Sequence, residues 1–268
     1  MAENDRIFFT TSWDDGSVLD LKLLDLLNKY GIKGTFYIPQ NFDLNRSKFF
    51  TYNRRLSENE IRQIAATQEV GAHTVSHKSV IEFNNEQLKK EIFGSKIFLE
   101  SCTENNVSMF CFPNGVFNEE SVDIVKKAGF IGARITNKFN FKLPNDVFLM
   151  GTSINCYPFP FRKIDSKRYH FRRLLDPIKN YGLNVFKFSQ IWNMYSWQPF
   201  ARSLFKHAFR NGNYFHLHGH SWELEKYNMW PDLENFFKFV KYFGGVKYCT
   251  NSEIVNIIIS NEQKNTFC

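Results

Sequence analysis

Short apolar runs rich in β-branched or aromatic residues alternate with helix-period segments along most of this chain. That alternation narrows the fold more than any other feature. Ile7–Trp13 reads as a strand, and the leucines of Leu19–Tyr30 keep helical spacing until Gly31. Lys33–Pro39 is a second strand. Ser57 and Glu60 form a capping-box pattern that opens a helix to about Thr67, and Glu69–His73 is a third, short strand. A helix over Asn85–Cys102, a strand over Ser108–Pro113, a helix over Asn118–Lys127 and a strand over Phe130–Ile135 follow. Val147–Ile154 reads as a strand, and Tyr157–Tyr181 as an irregular stretch with a basic helix. Phe200–Arg210 is a helix feeding the strand Tyr214–His218; Leu233–Tyr242 is a helix, Val246–Thr250 a last strand, and a final helix lies near Ser252–Ile259. Repeated βα units imply parallel strands, because each helix carries the chain back to the same end of the sheet. The expectation is an α/β fold with one domain over residues 1–268, a distorted, parallel, seven-stranded (β/α) barrel.

Composition agrees with one barrel-sized unit. At 43% hydrophobic and 17% aromatic residues the chain can fill a large core, and no stretch approaches the ~20 apolar residues of a membrane span. The polar start, Met1-Ala2-Glu3-Asn4-Asp5-Arg6, runs straight into the first strand with no secretory h-region. Five scattered cysteines suggest reduced thiols, so a cytoplasmic location is expected. A formal charge of +7 favours anionic partners. No nucleic-acid-binding motif is present, so nucleic acid is not an expected partner.

The polar residues suited to chemistry all fall at strand ends. Asp14-Asp15-Gly16 closes the first strand, His73-Thr74-Val75-Ser76-His77 begins at the end of the third, Pro113-Asn114-Gly115 ends the next, and His218 ends a late one. In α/β barrels that rim carries the active site. Adjacent carboxylates repel, so a cation or shared proton is needed beside them. Histidines four apart can turn both rings to one side of a helical turn. One Asp and two His would hold a divalent metal with a position left for water, and the second Asp could act as a base. Each motif alone has a plainer reading, a capped turn for Asp-Asp-Gly and an accidental pair for His-x-x-x-His. Their common rim favours the metal site.

Taken in order, these residues resemble the polysaccharide deacetylase superfamily (NodB-homology, carbohydrate esterase family 4), from about Ile7 to about Ile254. Ser12-Trp13-Asp14-Asp15-Gly16 stands where the family has Thr-Phe-Asp-Asp-Gly, which implies Asp14 as catalytic base and Asp15 as metal ligand. His73-Thr74-Val75-Ser76-His77 matches the second motif in full, implying His73 and His77 as ligands. Cys111-Phe112-Pro113-Asn114-Gly115 keeps the proline and glycine of Arg-x-Pro-aromatic-Gly and lacks its arginine and aromatic. Phe215-His216-Leu217-His218 resembles the late motif and implies His218 as general acid, with His220 its rival because Gly219 could redirect the chain. His216, His218 and His220 alternate along a strand end, and at least one is expected to point away from the barrel centre. Arg134 is the candidate replacement for the missing arginine, reaching Asp14 from a neighbouring strand end. Cys111 could bind a metal, but it is expected first to fill the arginine's place as a small buried residue. The family's fourth motif has no clear counterpart.

The resemblance implies a metal-dependent hydrolase that removes an N-acetyl group from an amino sugar in a polysaccharide, glycolipid or nucleotide-sugar precursor. Zinc is the first choice of metal, with iron, cobalt, nickel and manganese also compatible. Backbone N–H groups near Asn114 could bind an oxyanion, and Trp13, Trp222 and Tyr157 could form a wall for the sugar. Glu223 could join Trp222 there, or the two could equally serve helix capping and core packing. The stretch Arg162, Lys163, Lys167, Arg168, Arg172, Arg173 reads first as a solvated face and second as a grip for a phosphate-bearing carrier. The alternatives are an amidase or deformylase acting on another acyl group, and a catalytically silent glycan-binding barrel.

Overall fold

The computed structural model describes residues 6–41, 54–157, 185–188 and 190–266. The basic stretch Arg162–Arg173 lies outside them. The strands are β1 (Ile7–Asp14), β2 (Gly34–Ile38), β3 (Glu69–Ala72), β4 (Met109–Cys111), β5 (Gly132–Arg134), β6 (Ile154–Asn155), β7 (Tyr214–Gly219) and β8 (Val246–Tyr248). The longer helices are α1 (Asp20–Tyr30), α2 (Glu58–Ala65), α3 (Asn85–Thr103), α4 (Glu119–Lys127), α5 (Trp197–Asn211), α6 (Ser221–Lys226), α7 (Trp230–Lys241) and α8 (Asn251–Thr266). The capping box expected of Ser57 and Glu60 is formed at α2.

The strands pair in parallel in the order β5-β4-β3-β2-β1-β7-β6. The segment 147–156 joins the two ends of this row. Ala133 N–H donates to Val147 O at 2.8 Å and Ile135 N–H to Met150 O at 3.0 Å, while Ser153 N–H donates to His216 O at 3.0 Å. The sheet thereby curls into a distorted barrel of seven positions. The strand read over Val147–Ile154 is regular only at β6, because the rest of the segment crosses between β5 and β7. β8 lies beside the ring, pairing with Ile7–Phe9 of β1, whereas β2 pairs with Thr11–Asp14.

Alternation along β1 and β7 separates two cores. Ile7, Phe9 and Trp13, with Phe215 and Leu217, pack outward against the helices. Phe8 and Tyr214 point inward and join Tyr37, Met109, Cys111 and Met150, with Ile254, Val255 and Ile258 of α8. A plug of large side chains thus fills one end of the barrel and leaves the polar residues at the other.

Candidate metal centre

β1 ends in a backbone bend that aims two consecutive carboxylates into the barrel mouth. Asp15 has φ of 84° and Gly16 of 65°, left-handed values that are costly for Asp15 and free for glycine. Asp15 N–H still donates to Tyr37 O at 3.1 Å. Asp14 and Asp15 are both buried.

His73 and His77 converge on these carboxylates, but no helical turn brings them together. The segment 73–79 contains no helix. Left-handed conformations at Thr74 (φ 62°) and His77 (φ 58°), with His77 N–H donating to Thr74 Oγ1 at 3.0 Å, fold the loop back instead. The His73 and His77 rings sit 4.7 Å apart, edge to face. His73 Nδ1 donates to Cys111 O at 2.7 Å, which fixes the tautomer and leaves Nε2 as a lone-pair donor. His77 Nε2 lies 3.0 Å from Asp15 Oδ1. Single donor atoms of Asp15, His73 and His77 lie within 4.8 Å of one another, and these residues fit a divalent cation. Burial lowers the pKa of His73 to about 4, so the ring is neutral and able to ligate near neutral pH.

Asp14 is held separately. Ser12 pairs with His218 in the β1–β7 register, which places His218 next to the inward face that ends in Asp14. His218 Nε2 lies 3.0 Å from Asp14 Oδ2, and the Cys111 thiol donates to the same oxygen at 3.4 Å. Asp14 Oδ1 is buried and has no hydrogen-bond partner among the described residues. Burial alone would raise this carboxyl, but His218 and the neighbouring histidines outweigh it and hold the pKa at about 2.

Arg134 does not reach Asp14. Its guanidinium lies deeper in the barrel, donating to Tyr214 Oη at 2.8 Å and Gly151 O at 2.6 Å, and contacting His216 Nδ1. From β5 it faces β7 across the plug. Cys111 takes the expected place beside Asp14, and burial pushes its thiol pKa well above the usual value.

The three late histidines share one face, contrary to the expectation that one would point away, because residues two apart in a strand lie on the same side. His216 is fully buried with Arg134, His218 meets Asp14, and His220 continues the extended chain. Gly219 does not redirect β7. It lacks a side chain because a Cβ would lie 2.8 Å from the Trp13 ring and 3.0 Å from Cys156. His220 Nδ1 pairs with Glu223 Oε2 at 2.9 Å, and its Nε2 is 3.8 Å from Asp15 Oδ2. Burial opposes a charge on His220, but Asp15 and Glu223 outweigh it and push its pKa up to about 10.

The aromatic wall divides. Trp13 is fully buried against the helices, with Nε1 donating to Thr11 Oγ1, so it cannot stack on a sugar. Trp222 is 9% exposed, and its Nε1 donates to Asp15 Oδ2 at 2.9 Å, making it a support for the carboxylate rather than an open platform. Tyr157 is partly exposed, its ring 6.0 Å from that of Tyr227. Asn114 is exposed with a left-handed backbone (φ 57°), and the N–H groups of Gly115 and Val116 are already used in turn bonds to Phe112 O and Pro113 O. Sequence reasoning missed Asp20, a fully buried carboxylate at the start of α1. Its spacing reads only as an acidic helix start.

Residues 3–133 match the family profile "Polysaccharide deacetylase". YxkH of Bacillus subtilis (strain 168), a candidate polysaccharide deacetylase by name, is 23% identical over 106 residues; the match spans 39% of this chain and 36% of that protein. The fold is that of a candidate polysaccharide deacetylase from Mycobacterium smegmatis, with a TM-score of 0.67 at 12% identity over 98% of this chain and 93% of the other. A family 4 acetyl xylan esterase from Clostridium thermocellum, solved with a cobalt ion, superposes with a TM-score of 0.56 at 16% identity, over 93% and 91% of the two chains.

Proposed function

We propose that this chain belongs to the polysaccharide deacetylase superfamily, on its motifs, its barrel and the profile match over residues 3–133, and that it is a metal-dependent hydrolase that removes an N-acetyl group from an amino sugar. The observation that carries this reading is the convergence of Asp15, His73 and His77 beside a separately held Asp14–His218 pair. A mere glycan-binding barrel has no use for a base and an acid in contact at the rim.

When bound by Asp15, His73 and His77, a divalent cation supplies Lewis-acid polarisation of the acyl oxygen and lowers the pKa of a nearby water. Asp14 removes the proton of the attacking water. Its Oδ2 is fixed by His218 and Cys111, and its Oδ1 has no hydrogen-bond partner among the described residues. His218 gives its Nε2 proton to the departing nitrogen, which leaves poorly as an anion. The proton gained by Asp14 then returns across the 3.0 Å contact to His218, which restores both groups. The products are acetate and a free amine.

Zinc is the proposed ion, since one carboxylate and two imidazoles suit it. Iron, cobalt, nickel and manganese accept the same donors, and the cobalt in the Clostridium thermocellum enzyme supports a divalent ion here. Asn114 and Tyr157 are the proposed sugar contacts on the open side. An anionic, carrier-linked sugar is proposed from the net charge of +7. The described cysteines Cys102, Cys111, Cys156 and Cys249 are free thiols, which supports the cytoplasm as the proposed location.

The test follows free amine and acetate from acetylated monosaccharides, nucleotide sugars and chitin oligomers, using metal-free and metal-reloaded protein. Metal-dependent release from the small substrates is expected. Release only from long chitin would refute the precursor reading, formate from formylated analogues alone would favour the deformylase, and no release at all would favour the silent barrel.

A further inference from the structure

We propose that Cys111 completes a second metal arrangement overlapping the first, in which a thiophilic divalent cation is held by the Cys111 sulfur, His73 Nε2 and the Asp14 carboxylate. It rests on the reading above only for the shared ligand His73. One donor atom from each of the three residues lies within 4.8 Å of the others. The Cys111 Sγ–Asp14 Oδ2 separation is 3.4 Å and the His73 Nε2–Asp14 Oδ2 separation is 4.0 Å. Bond lengths of about 2.0–2.3 Å at a tetrahedral ion set ligand–ligand edges of roughly 3.3–3.8 Å, so small side-chain movements suffice. Among the described residues Asp14 Oδ1 is buried without a hydrogen-bond partner, so this carboxylate keeps an unused oxygen beside the Cys111 sulfur and His73.

The two arrangements exclude each other. His73 Nδ1 is committed to Cys111 O, so Nε2 is its single donor and serves either the Asp15–His77 set or the Asp14–Cys111 set. The nature of the ion decides between them. Cys111 is buried as a neutral thiol, so binding must break its S–H bond, form an S–metal bond and release the proton to solvent, with no change of oxidation state. A soft cation such as cadmium offsets that cost through sulfur, whereas manganese prefers the oxygen and imidazole donors around Asp15. In the Cys111 arrangement Asp14 is a ligand and can no longer accept a proton. The protein would then hold metal and be silent.

The test titrates the metal-free full chain with cadmium, and with manganese as control, while following the ultraviolet sulfur-to-metal charge-transfer band. Dialysis counts the bound ions. The wild type should develop the band with cadmium, and His77→Ala should keep it. Cys111→Ser should lose it while still binding one ion through Asp15, His73 and His77. A wild type that binds cadmium without the band, or a Cys111→Ser variant that keeps it, overturns the proposal. Cadmium NMR of the wild type reads sulfur ligation without any variant, and a resonance typical of oxygen and nitrogen ligands alone would overturn it as well. Because none of these readouts needs turnover, failure of the deacetylase reading would show separately, as absent amine release from the manganese-loaded protein.

Discussion

Trp222 Nε1 donates to Asp15 Oδ2 at 2.9 Å, joining residues 207 positions apart. The bond fixes the rotamer of the proposed metal ligand Asp15 and leaves its Oδ1 facing His77. Losing such a support costs about 10- to 100-fold in metal affinity in general. Trp222→Phe keeps an aromatic ring and removes the donor, so it should weaken metal binding by about that factor. Competition against a chelator of known affinity measures it. Unchanged affinity would remove Trp222 from the metal centre.

Asp14 and Asp15 should separate by function although they are neighbours in sequence. Asp14→Asn keeps the shape and removes the base, so metal should stay bound while kcat falls by about 100-fold or more. Asp15→Ala should lose the ion itself. Metal analysis and turnover on the same preparations distinguish the two, and an Asp14→Asn variant with near-normal turnover would sink the assignment.

Arg134 should behave as a core residue. Its guanidinium satisfies Tyr214 Oη and Gly151 O inside the barrel. Arg134→Met leaves these buried groups unpaired and should cost roughly 2–4 kcal/mol of stability. Denaturant unfolding reads the loss. Turnover per folded molecule should change less than about tenfold, since Arg134 makes no hydrogen bond to Asp14.

Asp20 sets a pH dependence in the metal-free protein. Burial, with the Asp15 and Asp14 charges adding to it, raises its carboxyl from 3.8 to about 8 in the folded state. Between these values the native chain holds a proton that the unfolded chain has released, so stability falls as pH rises through this window. Asp20→Asn removes the dependence and should be more stable than the wild type by roughly 1–3 kcal/mol at pH 8, with the gap closing towards pH 4. Thermal unfolding across that range tests it, and a constant gap would refute it.

The order of βα units is legible in the amino-acid sequence, because helical and strand periods are local patterns written in consecutive residues. The sequence also places Asp14, Asp15, His73 and His218 at a common rim, since a parallel barrel puts every strand's C-terminal end on one side. Which groups touch is set by the closed barrel. Arg134 faces Tyr214 and His216 because β5 and β7 look at each other across the barrel, with 147–156 bridging them, a relation that no spacing encodes. Trp13 belongs to the helix-facing core, although period-two alternation from Phe8 could have shown it. The bend that converges His73 and His77 depends on left-handed His77 and above all on left-handed Thr74, a β-branched residue whose usual preference is against that conformation. Local periodicity fixes elements and faces. The partners of Asp14, Asp15 and Cys111 come from strands and loops far apart in the chain, and their contacts exist only once the ring has closed.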